Sequence, residues 1–482
     1  MMIKAPPAAA KAAITAAFTL AIVGTVPTPA FAQSAQDRLD DRYDRALAAG
    51  YKALFLCSAI ANAEANGAVR TPESIHEWEL TGIYPALDPI IRDLPYEIVR
   101  RPSGQISHVQ VSWADDMPDR IAALSVAGRG CTVQRIGAPE DLAQPERSLP
   151  QSSASDFGLT PGDAAASAQL EQGLEATFSA AFDGTYGEGS RTTAVVVTTG
   201  DALAERYAEG FTARTPQRTW SVAKSIAATF VGAAVHSSDV EVSDPATTPY
   251  DEWGSARETR QLITIDHALR MASGRYSDTP GNRTDPLYWG GTTVDERALN
   301  WPIVHQPGTV YRYANNDTLL AVWAAYARTG GLDPAQELFG KLGMYHTVAE
   351  RDVAGHYVLS SQVWSTARDL ARLGQLHLND GVWEGERILP EGWVEYVSDP
   401  SGPQPVRGMG YGAGWWTFRR PEGNAFEGIP DDAFAARGNR GQYVVVVPSR
   451  DVVIVRRGED MVGTRFDLAA FTRDVLAALQ AQ

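Results

Sequence analysis

Lysine is almost missing from this chain of 482 residues. It stands only at positions 4, 11, 52, 224 and 341, and the other 37 of the 42 basic residues are arginine. Arginine is not deprotonated inside a protein, whereas a buried lysine can serve as a base. A chain that writes arginine wherever it needs positive charge therefore singles out Lys224, which lies in the apolar setting Trp220-Ser-Val-Ala-Lys-Ser225. Cysteine is scarcer still, with Cys57 and Cys131 alone. The eight histidines form no His-x-x-x-His pair and there is no cysteine cluster, so the sequence supports no metal site. Positive charge is short overall. The formal net charge of -16 argues against nucleic acid and anionic membrane surfaces as partners.

The first 32 residues carry Lys4 and Lys11, an apolar stretch from Ala12 to Val26, and Ala30-Phe31-Ala32 before Gln33. This is the plan of a cleavable secretory signal. The stretch is short and proline-interrupted for a membrane span, and no later stretch reads as one. The expectation is a periplasmic or secreted protein, cut near Ala32, soluble and without an integral membrane segment. Loss of the two signal lysines takes the formal charge from -16 to -18. In an oxidising compartment Cys57 and Cys131 are expected to pair as a disulfide.

Residues 33–136 read as a small α+β unit, with a helix from Tyr43 to Cys57 and strands such as Val109–Trp113 and Ile121–Val126. His76-Glu77 and Asp115-Asp116 fit solvated loops better than a site, and no chemistry is evident in this unit. Residues 137–163, with Pro139, Pro145, Pro150 and Pro161, read as a linker. From 164 onward come a helix near Ala166–Phe182, strands Ala194–Thr198 and Ala202–Ala208, and the helix that opens at Ser221. A helical, loop-rich insertion over 245–380 follows, and strands return with Phe434–Asn439, Tyr443–Val447 and Val452–Val455. An amphipathic helix with Leu468, Phe471, Val475 and Leu479 on one face ends the chain. The pattern predicts an antiparallel sheet drawn from both halves of 164–482, with a cleft against the insertion. The glycines of Gly408–Trp416 do not lead a strand into a helix, so they suit close sheet packing rather than a nucleotide loop.

A serine before an apolar helix is most often an N-cap, and a lysine in the first turn is most often solvated. The pair Ser221-x-x-Lys224 also allows another reading. At i and i+3 the side chains share one face, and desolvation together with the helix dipole pushes the lysine toward its neutral form. Tyr313-Ala314-Asn315, in the insertion, and Ala436-Arg437-Gly438, at the end of a strand, mean little singly. A tyrosine in isolation is most often a packing residue.

Taken in order, these three segments resemble the serine β-lactamase and penicillin-binding-protein superfamily, in particular its class C-like branch, in which the second motif is Tyr-x-Asn. Pro307–Leu320, Leu342–His346 and Trp364–Gly374 are similar to that branch, and Asp380–Trp383 through Leu389–Trp393 and Arg437–Tyr443 resemble especially its 6-aminohexanoate-dimer hydrolase-like members. The resemblance runs from about Ala166 to the C-terminus and leaves the first part of the chain uncovered. It implies an α+β, β-lactamase-like fold with an N-terminal extension, and no cofactor. It also implies that Ser221 forms an acyl-enzyme, that Lys224 and Tyr313 share a proton shuttle, and that Asn315 orients the lysine or the substrate. The backbone N–H groups of Ser221 and Asn439 are the implied oxyanion donors.

One departure bears on the substrate. Penicillin-recognising members carry Lys-Thr-Gly or a close variant at the third motif, and here Ala436 and Arg437 replace the first two residues. The expected activity is therefore hydrolysis of small esters or linear amides. A penicillin-binding carboxypeptidase or β-lactamase, and a non-catalytic binding or sensor module, stand as alternatives. Arg437 either binds a substrate carboxylate or points to solvent, Gly438 lies beside it, and Tyr288, Trp289 and Tyr276 are candidate walls of an acyl pocket. The natural substrate, the resting base and the oligomeric state stay open.

Overall fold

Val195–Val197, Val444–Val447 and Val452–Val455 are apolar at every position, the mark of strands covered on both faces. They form the middle of a seven-stranded antiparallel sheet. In spatial order its strands are Gly410–Tyr411, Trp416–Thr417, Phe434–Gly438, Gln442–Val447, Val452–Gly458, Thr192–Thr199 and Ala202–Tyr207. The two halves of the chain meet where Val452–Gly458 pairs with Thr192–Thr199, with Ile454 opposite Val197. The sheet is thus built as the order of segments predicts.

The computed structural model describes residues 34–125, 129–139, 164–246, 257–276, 284–329 and 334–480. The signal segment and almost all of the expected linker lie outside these residues. The chain divides at Asp41 into two units, and every site residue lies within Arg42–Gln482.

Alternate residues of a strand face opposite sides, and the central sheet uses both. Val444, Val446, Val453 and Val455 join the helices Val222–Ser237 and Ala367–Leu378 in one core. Val445, Val447 and Ile454 face the helices Ala164–Phe182 and Leu468–Gln480 in another. Leu468, Phe471 and Val475 are buried there and Leu479 is partly so, as the amphipathic pattern requires.

A third core belongs to the N-terminal segment. Tyr96–Arg100, Ile106–Val111, Arg120–Leu124 and Cys131–Val133 form a four-stranded antiparallel sheet in chain order, and the helix Ala35–Ala65 packs with it. Contrary to the sequence expectation, this helix is long and apolar enough to cross a membrane by length and composition. Its residues Ala46–Ala63 are buried inside the protein, which is how a helix apolar on all sides behaves at the centre of a core. The same core takes in Trp220, Tyr288 and Trp364 from the rest of the chain. Cys57 and Cys131 are bonded, with Cα atoms 6.0 Å apart across 74 residues.

Closing a loop of that length contributes about 4 kcal/mol in the chain-entropy picture. Replacing both cysteines by alanine is expected to lower stability by a comparable amount in denaturant unfolding, with reductant doing the same to the native protein and nothing to the variant.

Candidate active site

Ser221 precedes the helix Val222–Ser237 at its N-cap position, yet its side chain makes no capping bond. Its Oγ is instead turned toward Lys224, whose Nζ lies 3.2 Å away. Lys224 is 1% exposed. Its Nζ also donates to Asn315 Oδ1 and, at 2.9 Å, to the carbonyl of Ser360. No carboxylate joins this set, so burial dominates and pulls the lysine down to about 7. Tyr313 packs against the ammonium, with Nζ 4.9 Å from its ring centroid. Burial pushes the Tyr313 phenol up to about 12, while a hydrogen bond to Ser221 and the nearby Arg437 charge oppose the rise.

Three supports hold these groups in place. Asn315 opens the helix Asn315–Tyr326, and that helix start is anchored by Asp317, which accepts from Ser273 Oγ at 2.6 Å and pairs with Arg275 at 3.2 Å, both ends buried. The approach to Ser221 is tied to the sheet by Arg457, which donates to the carbonyls of Gln217 and Arg218 at 2.9 and 3.1 Å. Trp220 has φ of +49°, unusual for a bulky side chain. Such a backbone costs about 1–3 kcal/mol and persists only where packing over-determines it. Here Phe55 and Tyr84 of the N-terminal segment meet the indole edge-on at 5.8 and 6.4 Å.

The third motif lies alongside. Ala435 and Ala436 are buried in the sheet strand, and Gly438 faces the Thr219–Ser221 backbone. A Cβ on Gly438 would overlap the Thr219 carbonyl oxygen and stand 3.2 Å from the Ser221 nitrogen. Asn439 follows at the rim of the cavity, and Arg440 after it holds φ of +60°. The Arg440 guanidinium reaches the N-terminal segment, donating to the carbonyls of Glu79 and Trp78 at 2.8 and 2.7 Å and to that of Thr81. A cavity of about 430 Å³ opens onto Ser221, Tyr313, Asn315, Arg437, Gly438 and Asn439.

A family model described as Beta-lactamase matches residues 174–479 of this chain. The chain belongs to the Beta-lactamase family. A relative in Paenarthrobacter ureafaciens, 6-aminohexanoate-dimer hydrolase, is 26% identical over 322 residues, which is 60% of this chain and 74% of that protein. A solved structure from Bacteroides dorei DSM 17855, described as a candidate beta-lactamase, shares the fold at a TM-score of 0.50 and 21% identity. It covers 63% of this chain and 98% of its own. As a Beta-lactamase family member with this relative, the chain is a serine hydrolase.

Within this Beta-lactamase fold the structure brings together Ser221, Lys224, Tyr313 and Asn315, and it lines the cavity with Tyr288, Arg437, Gly438 and Asn439. Arg437 does not turn away to solvent. It is half-buried, 5.3 Å from the Trp416 ring, with Nη1 3.3 Å from Met409 Sδ. Trp289 is a correction: it does not line the cavity but packs edge-on against Tyr43, centroids 4.6 Å apart. Tyr276 likewise stays outside, beside Trp301.

Sequence reasoning missed Tyr51, Tyr84, Arg218, Trp220, Thr284, Ser361 and Trp416, all of which line the cavity. Two of them lie in the segment read as free of chemistry. The one available signal was Arg218, three residues before Ser221. Among the described residues Asp295, Asp352 and His356 are the one group of three whose metal-ligand atoms all lie within 4.8 Å of one another. None of them lines the cavity, and Asp352 already accepts from the backbone N–H groups of Val294, Ala354 and His356.

Because the Gly438 strand touches the Ser221 backbone, Gly438→Ala is expected to displace the two and lower kcat by about 10²-fold, the order of loss that a 1 Å misplacement causes. Steady-state kinetics beside a circular dichroism spectrum unchanged from wild type would check this.

Proposed function

We propose that the protein is an exported amidase or esterase that cleaves small linear amides or esters through an acyl-Ser221 intermediate. The observation that carries this reading is the buried, carboxylate-free Lys224 ammonium site 3.2 Å from the Ser221 oxygen. With the lysine near 7 and the tyrosine near 12, Lys224 is the group that can stand proton-free at neutral pH. The neutral amine takes the Ser221 hydroxyl proton as Oγ attacks the substrate carbonyl carbon. The oxyanion that forms accepts from the backbone N–H groups of Ser221 and Asn439, and one such donor is worth about 3 to 4 kcal/mol of transition-state stabilisation. Tyr313, hydrogen-bonded to Ser221, passes a proton to the departing nitrogen or oxygen and is reprotonated from Lys224. Water then attacks the acyl-enzyme with the same pair as base, returning the serine and releasing the acid. Asn315 holds the lysine through its Oδ1.

The name of the Paenarthrobacter ureafaciens relative supports a linear amide. Against a β-lactam stands the third motif, where buried Ala436 replaces the usual cation and Arg437 the usual hydroxyl. Export rests on the signal-like first 32 residues and on the disulfide.

A fluorophosphonate is expected to label the native protein and not Ser221→Ala; absence of labelling and of p-nitrophenyl ester turnover would sink the reading. Nitrocefin turnover at ester-like rates would replace it by the β-lactamase alternative. Lys224→Met and Tyr313→Phe should each cost about 10² to 10⁴ in kcat, the usual contribution of a placed acid or base.

The pH dependence follows from the sign of the lysine shift. The active form is unprotonated, so kcat/KM should be level above pH 8, half-maximal near 7, and fall about tenfold per unit below 6. A profile flat from pH 5 to 8 would remove Lys224 as the base.

A further inference from the structure

The cavity is electrically one-sided. The chain carries a net charge of -16, yet the described lining contains two guanidinium groups, Arg218 and Arg437, and neither Asp nor Glu. Arg218 is the more deeply placed, 1% exposed. Its Nε donates to the Ser361 carbonyl at 3.0 Å, its Nη2 meets the Tyr288 hydroxyl, and its Nη1 is buried with no partner. No carboxylate of the described residues pairs with it. Glu350, the acid that bears on it electrostatically, is held instead by Ser58 Oγ and the Cys131 N–H. Burial pushes that carboxyl up to about 7, so it is an incomplete counter-charge at neutral pH. A buried cation in this state is costly, and an anion arriving in the cavity relieves the cost.

The N-terminal segment builds the surroundings. The guanidinium carbon lies 4.3 Å from the Trp220 ring, 4.7 Å from Phe55, 5.3 Å from Tyr288 and 5.9 Å from Tyr51. Tyr51 stacks on Tyr288 with centroids 3.9 Å apart and planes 10° apart, and Tyr84 is hydrogen-bonded to Tyr51. Tyr51, Tyr84 and Tyr288 all line the cavity. Aromatic rings beside a planar cation and phenol hydroxyls supply the chemistry that receives a hydrocarbon chain ending in an anion.

We propose that Arg218, walled by Tyr51, Tyr84 and Tyr288, is a subsite for the carboxylate end of a linear substrate, and that the cavity rejects an ammonium at that end. The N-terminal segment is on this account part of the substrate site. The inference deepens the amide-hydrolase reading and rests on it for the word substrate, but the subsite itself is tested by binding.

Three six-carbon primary amides that differ only at the far end serve as probes: adipamate, hexanamide and 6-aminohexanamide. Calorimetric titration into the full-length Ser221→Ala protein at pH 7.5 is expected to show adipamate binding at least about tenfold tighter than hexanamide, as suits a charge-assisted Arg–carboxylate pair. The 6-aminohexanamide should bind no tighter than hexanamide. Adding Arg218→Gln should bring adipamate and hexanamide within about twofold of each other, while Arg437→Gln in the same background keeps most of the preference. Equal binding of the two in the parent, tighter binding of the ammonium probe, or a preference that survives Arg218→Gln would each overturn the subsite. Should Arg218→Gln fail to fold, Tyr288→Phe and Arg218→Lys take its place, and an unchanged ratio in both is the overturning result. Turnover of the three amides by the native protein is measured in parallel. Its failure counts against the hydrolase reading alone, since the binding ratio does not depend on it.

Discussion

Everything at the centre of this protein depends on keeping one ammonium group dry. Lys224 is held by a serine hydroxyl, an amide oxygen and a backbone carbonyl, all neutral acceptors. A carboxylate in the same place would hold the proton on the lysine. The neutral set satisfies the donors while leaving desolvation to set the proton affinity. The surrounding fold excludes water and acids from this point: the valine-rich sheet on one side, the Asn315 helix on another, and the strand of Ala436 and Gly438 closing in on the Ser221 backbone.

The N-terminal segment takes part in that closure. Phe55 and Tyr84 stand against Trp220, whose left-handed backbone precedes Ser221. Arg440 carries the turn after Asn439 and donates to the carbonyls of Trp78, Glu79 and Thr81. One segment thus braces the backbone on either side of the cavity, before Ser221 and after Asn439. The arginines that replace lysine throughout the chain suit such work. Their forked, permanently charged groups bind several carbonyls at once and survive burial, as Arg440 and Arg457 do.

Much of the catalytic half was legible because local chemistry and chain order carry it. The continuous valine runs announced strands covered on both faces, and the apolar period placed Leu468, Phe471 and Val475 on one helix face. The scarcity of lysine separated Lys224 from ordinary surface charge. The N-terminal segment was harder. Its secondary structure could be read, but length and composition alone do not say that the Ala46–Ala63 part of its long helix lies inside a core. Nothing local reveals that Tyr51 and Tyr84 reach a site more than 130 residues away in sequence. Trp289 and Tyr288 show the limit most plainly: neighbours of similar chemistry, of which Tyr288 lines the cavity and stacks on Tyr51 while Trp289 packs on Tyr43. Their directions follow from a helical turn seated against the N-terminal core, which no short pattern specifies.

What the sequence by itself determined is the family of chemistry: a serine and a lysine on one helical face, a tyrosine and an asparagine in the insertion, a glycine on a late strand, and a third motif that lacks the usual β-lactam anchor. These are properties of residue type, spacing and order. What only the tertiary structure decided is how far each group is shut away from water and which charges line the cavity. The first depends on the water excluded around Lys224 and Tyr313. The second depends on the long-range meeting of Arg218, Arg437 and the tyrosines of a segment that the family pattern does not cover.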